Sequence, residues 1–363
     1  MKQAVQQIKP QDVYLISSTL HFFWAYMLAS KFRQTRDSHL IVIDQYTQKP
    51  LLMLAFLNPK NSPFASVNEL NGREMKGLEK LQNRRHQFDW IKRFIADTPV
   101  DKVFIGNDRS VIGQYFIRHS KHKNRSVISC YLDDGVYSYL GREASKNWGE
   151  RIIDASLKKL AYGLWYDVPP TVGASKWVDQ VWVMYPEYVN AALKQKEKIE
   201  ILPRNEGFSA LNPLSVTVLQ GAGVKVADIE ALDVFITLPN ETVFSKIDGY
   251  TTEMRRFVSS LVAEGKKVAI KYHPAAGTRD SLNLEKIGAL KLPANVSFEL
   301  FIPFLKNCHV LGDFSTTVLV AHYSENIMVK MMDISPNKQN TNMIELCENL
   351  NIKRVQASAN MTV

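Results

Sequence analysis

The stretch Val127-Ile128-Ser129-Cys130-Tyr131-Leu132-Asp133-Asp134-Gly135 runs from apolar, β-prone residues straight into two adjacent carboxylates and a glycine. A run of this kind reads as a buried strand. Ligands of open α/β sheets bind beyond the C-terminal ends of the strands. A strand that delivers two acids to that edge is a candidate for general-base work. Asp-Gly also makes an ordinary turn. A second cluster far downstream favours the chemical reading: Lys271-Tyr272-His273-Pro274, then Phe314-Ser315-Thr316-Thr317.

Working outward, the pattern alternates strand and helix. Val13 to Ser17 predicts a first strand, and Leu20 to Phe32 a helix capped by Ser18 or Thr19. This places Thr19 and His21 at the sheet edge as acceptor-side candidates. Strands are expected at Leu40–Ile43, Lys102–Ile105 and Asp179–Met184, with helices at 73–95 and 111–117. The run 118–125 is expected to be a basic loop at the far end of the central strand from Asp133. Residues 150–164 predict a cationic amphipathic helix, packed on its own domain or lying on a membrane surface. A Lys/Glu-rich helix is expected after residue 187. A second α/β domain begins at Asp233–Thr237, with strand Lys267–Tyr272 carrying His273-Pro274 at its end. Ser315, Thr316 and Thr317 open a helix there, and hydroxyls plus free N–H groups at a helix start make an anion site. The expected organisation is therefore a domain over 1–186, a crossing region over 187–232 and a second domain over 233–363. Such alternation implies mostly parallel, Rossmann-like sheets with helices on both faces, two domains facing a cleft.

The totals bound the class. At 363 residues, 45% apolar and 22% charged, the chain is globular and large enough for two cores. The net charge of +9 attracts anionic partners without choosing among them. No nucleic-acid-binding signature accompanies it, so nucleic acid is not an expected partner. Three cysteines without metal spacing read as reduced thiols of a cytoplasmic protein. Tyr14 to Phe32 is apolar but interrupted by Ser17, Ser18, Thr19 and His21, so a strand–loop–helix start explains it better than a membrane span.

Asp133-Asp134-Gly135, His273-Pro274 and Ser315-Thr316 together resemble the three short motifs of bacterial sialyltransferases. The nearest groups are the lipooligosaccharide sialyltransferases and the capsular polysialyltransferases. Ser18-Thr19-Leu20-His21 resembles the Thr-Pro-Leu-Gln start of the former, without its Pro and with His for Gln. The resemblance implies a GT-B fold, no cofactor and no catalytic metal, a CMP-activated nonulosonic acid donor, a glycan acceptor and an inverting reaction. It further implies Asp133 as general base, supported by Asp134 and Gly135, and His273 acting on the CMP phosphate. Ser315 and Thr316 would bind that phosphate, Lys271 and Pro274 would lie along the nucleotide, and Glu299 would hold the ribose.

Two other readings follow from the same residues. Asp313-Phe314-Ser315-Thr316 with His273-Pro274 is also similar to teichoic-acid glycerophosphotransferases that use CDP-glycerol. A non-catalytic glycan-binding protein of capsule assembly would need neither the acid nor the histidine. The surplus charge and the 150–164 helix together predict peripheral attachment to an anionic inner membrane surface.

Overall fold

The computed structural model describes residues 9–48, 51–58, 60–142, 156–325, 327–333 and 341–356. The chain divides into two units, 1–203 and 204–363. The division falls inside the stretch 187–232 that was expected to be a crossing region.

Unit 1 carries, among its described residues, a seven-stranded parallel sheet. Its strands are β1 (Gln11–Ile16), β2 (Asp37–Ile43), β3 (Ser66–Leu70), β4 (Val100–Ile105), β5 (Ile128–Leu132), β6 (Gln180–Val183) and β7 (Lys198–Ile201). They lie in the order β3-β2-β1-β4-β5-β6-β7. Every residue of β1 is buried, as a parallel strand covered on both faces requires. The helix Thr19–Phe32 follows, and Ser18 is its cap, accepting the N–H of His21 at 3.3 Å. The strand–loop–helix reading of the apolar start therefore holds.

Two local expectations are corrected. The basic run 118–125 is largely helix, since Val111–Lys123 continues through it. Lysines in a last turn suit the helix dipole, and Lys121 reaches Asp179 at 2.6 Å. The Lys/Glu-rich segment after 187 forms the edge strand β7, paired to β6, rather than a helix. Charged side chains are favoured on an edge that must not pair further. Of the expected helix 150–164, residues 150–155 lie outside the described residues and 156–162 are helical.

Unit 2 repeats the strand order. Its strands are β8 (Val234–Thr237), β9 (Val268–Lys271), β10 (Leu290–Leu292), β11 (His309–Gly312), β12 (Met328–Asp333) and β13 (Lys353–Gln356). They run β10-β9-β8-β11-β12-β13, all parallel. One of its cores packs the helix Tyr250–Ala263 on β8 and β9 through Met254, Phe257 and Leu261. In both units the chain reverses direction across the sheet between two central strands, β1/β4 and β8/β11. That switch point opens a crevice at the strand C-termini.

Candidate active site

At the switch point of unit 1 lies a cavity of about 890 Å³. Ser17, Ser18, His21, Asn107 and Asp134 reach it from the ends of β1, β4 and β5. The two aspartates separate here. Asp133 is fully buried. Its carboxylate accepts the N–H of Gly135 at 2.7 Å, the N–H of Met184 at 2.9 Å and the hydroxyl of Tyr139. It thus ties the end of β5 to the end of β6 and to the helix Val136–Leu140. Burial raises its pKa to about 6, against the lowering effect of those hydrogen bonds. Asp134 lines the cavity instead, with its carboxylate 3.1 Å from Nε2 of His21. Alternate residues of an extended chain point to opposite sides, so only one of the pair can face the cavity. Asp133, expected as the base, is thus buried and held by three donors, while Asp134, expected in support of it, is the one of the pair that lines the cavity.

His21 is itself buried, with Nδ1 3.5 Å from the Ser17 hydroxyl. Its ring lies against Gly106, where a Cβ would sit 2.2 Å from the imidazole. Only glycine leaves room there. Thr19 does not line the cavity; Ser17 and Ser18 do. Gly135, at φ +66 and ψ −133, occupies backbone space that suits glycine and lets its N–H turn back onto Asp133.

At the switch point of unit 2 a cavity of about 380 Å³ gathers Lys271, His273, Pro274, Glu299 and Ser315, as the sequence led one to expect. Lys271 is buried, donates to the carbonyl of Ala294 at 3.1 Å, and has its pKa lowered by burial to about 8. Glu299 accepts the Ser297 hydroxyl, and burial raises its pKa. Nδ1 of His273 accepts the N–H of Ala275 at 3.2 Å. Burial and the nearby Lys271 lower the His273 pKa. A neutral ring that accepts at Nδ1 carries its proton on Nε2, ready to donate.

Ser315 caps the helix Thr316–Tyr323, accepting the N–H of Val318 at 3.4 Å. Beside Ser315 it is Thr317, not the expected Thr316, that lines the cavity. The sequence reading gave Thr237 no place in the site and met Asp313 only in the similarity to glycerophosphotransferases. Thr237 ends β8 against Gly312, where a Cβ would lie 2.1 Å from its hydroxyl. Asp313 lines the cavity, and burial raises its pKa to about 7. The advance signals for Asp313 were its place one residue past an apolar strand and its part in Asp313-Phe314-Ser315-Thr316. Among the described residues no group of three His, Cys, Asp or Glu side chains converges as a metal site.

The sequence matches the model of glycosyltransferase family 52 over residues 59–336. No curated protein matches it. Among solved structures, the fold is similar to that of an alpha/beta-galactoside alpha-2,3-sialyltransferase from the luminous marine bacterium Photobacterium phosphoreum. That likeness has a TM-score of 0.60 at 13% identity and covers 97% of this chain and 100% of that one. It is also similar to a putative UDP-N-acetylglucosamine 2-epimerase from Listeria monocytogenes, with a TM-score of 0.55 at 11% identity, covering 97% of this chain and 85% of that one. These likenesses are of fold, and they bear out the expected two Rossmann-like sheets of the GT-B type.

Proposed function

Because the chain belongs to glycosyltransferase family 52, we propose that it transfers sialic acid, or a related nonulosonic acid, from a CMP-activated donor to a hydroxyl of a cell-surface glycan. The observation that carries this reading is the convergence of His273, Ser315, Thr317, Lys271 and Glu299 in one cavity of unit 2. That set suits a nucleotide phosphate and its ribose.

In this reading unit 2 holds the donor. The hydroxyls of Ser315 and Thr317, the open end of the helix Thr316–Tyr323 and Nε2–H of His273 take the growing charge on the departing phosphate. Glu299 accepts from ribose hydroxyls. Unit 1 holds the acceptor. The Asp134 carboxylate takes the hydroxyl proton as the acceptor oxygen attacks the anomeric carbon, and His21 fixes the orientation of that carboxylate. The bond from the anomeric carbon to the phosphate oxygen breaks, its electron pair leaving with CMP. Attack opposite the leaving group inverts the anomeric centre. With the charge handled by these side chains, the step calls for no metal.

The test is nucleotide release. CMP set free from CMP-sialic acid in the presence of galactoside acceptors supports the proposal. Turnover of CDP-glycerol alone would replace it with the glycerophosphotransferase reading.

Peripheral attachment to an anionic membrane surface belongs to the same proposal. Leu157, Leu160 and Leu164 are exposed beside Lys158 and Lys159, on a chain of net charge +9. Among the described residues no helix is long and apolar enough to cross a membrane. Flotation with anionic but not neutral liposomes, reversed by salt, is the expected result. Equal flotation with both lipids, or with neither, would remove the membrane from the proposal.

A further inference from the structure

The wall of the unit 1 cavity carries more positive charge than a neutral sugar needs. Among the described residues six Lys and Arg side chains line it, against two carboxylates, Asp44 and Asp134. Asp44 is taken by Arg84 at 2.6 Å and by the Ser110 hydroxyl. Asp134 sits against His21. Among the described residues no wall carboxylate therefore balances Arg73, Lys80 or Arg142. The partners seen for two of them are neutral: Arg142 stands 4.6 Å over the ring of Tyr137, and Arg73 stands 5.3 Å over that of Tyr46. Arg109 donates to the carbonyls of Arg142 and Pro170, which positions its guanidinium at the wall. Flat apolar rings, which a neutral sugar would use, are scarce among the described residues of the wall, where Tyr162 is the one Phe, Tyr or Trp.

From this imbalance we infer that the acceptor carries an anionic group, a carboxylate or a phosphate, near the hydroxyl that reacts. The inference rests on reading this cavity as the acceptor site. Guanidinium groups offer paired donors that match both anions. A partly enclosed cavity strengthens their attraction over that in bulk water. The acceptor hydroxyl would be presented to Asp134 by an anion held on the arginine side of the wall.

The test compares acceptors that share a lactose core and differ in charge: lactose, a sialyl-lactose bearing a carboxylate, and a lactoside bearing a phosphate. Each is titrated into the full chain by calorimetry, and each is offered with CMP-sialic acid while KM and kcat are read. The expected result is tighter binding and a lower KM for one or both charged sugars, by about tenfold or more at low salt, shrinking as salt rises. Which of the two gains more identifies the anion. Arg73→Gln and Arg142→Gln should each raise KM for the charged acceptor and leave the donor KM and the thermal midpoint unchanged. Lactose binding as tightly as the charged sugars would overturn the inference, and so would a preference that survives both substitutions. A rise in donor KM instead would assign the cations to the donor's carboxylate and overturn it too. Charge-selective binding with no consumption of CMP-sialic acid would overturn the sialyl-transfer reading while supporting the anion site.

Discussion

Asp133 and Asp134 are neighbours with different surroundings, one buried and one lining the cavity, and substitution should separate the roles proposed for them. Asn at 133 cannot accept all the donors that converge there, and each buried donor left unpaired costs about 1–3 kcal/mol. Asp133→Asn should therefore lower the thermal midpoint. Asp134→Asn should leave the midpoint in place and reduce turnover by about 10²–10⁴-fold. Calorimetric melting beside CMP-release rates distinguishes them, and the reverse pattern would return the base role to Asp133. Asp133 also shapes the pH response. Its pKa rises from 3.8 to about 6 on folding, chiefly through burial. Between those values the folded chain holds more protons than the unfolded one, so this group's contribution is greatest at acid pH and is lost as pH rises to about 6. Urea titrations should show that part of the slope vanish in Asp133→Asn, while Asp108, buried with a pKa also raised to about 6, keeps its own share. Gly106→Ala pushes the His21 ring away from its seat and should reduce turnover while CMP affinity in unit 2 holds. Unchanged turnover would show that His21 does not orient the acid.

At the scale of elements, function sits where strands end and helices begin. The helix Thr316–Tyr323 presents Ser315 and Thr317 to the unit 2 cavity. Ser315→Ala with Thr317→Ala should weaken CMP binding by about 1–3 kcal/mol if the contacts are charge-assisted. Thr316→Ala should have a smaller effect, and calorimetry with CMP reads both. Asp313, with its pKa raised to about 7, adds negative charge beside the proposed phosphate site as pH climbs through that value. CMP affinity should therefore fall from pH 6 to 8, and Asp313→Asn should flatten the fall; a wild-type slope in the variant would remove Asp313 from the site. The short motifs were legible in the sequence because each is local: an apolar run ending in acids, a His-Pro, a hydroxyl pair before a helix. Which acid and which threonine face the cavity depends on strand alternation and helix phase, which a two-residue motif does not fix. Arg73 and Arg142 were invisible because loops far apart in sequence bring them to one wall. β7 was misread because Lys and Glu favour helices, whereas its place beside β6 comes from pairing with a distant segment.

The two units repeat one strand order, and each switch point opens a crevice, lined by Asp134 and cations in unit 1 and by His273, Ser315 and Thr317 in unit 2, which the proposed function assigns to acceptor and donor. This division predicts that variants of unit 1 alter acceptor use and variants of unit 2 alter CMP affinity. The most direct test of the account is the NMR spectrum of the product formed from CMP-sialic acid, a β-anomer, and a galactoside acceptor. The account predicts an α-linked sialoside formed with one CMP per linkage. A β-linked product, or a donor left unconsumed with every acceptor offered, would contradict it.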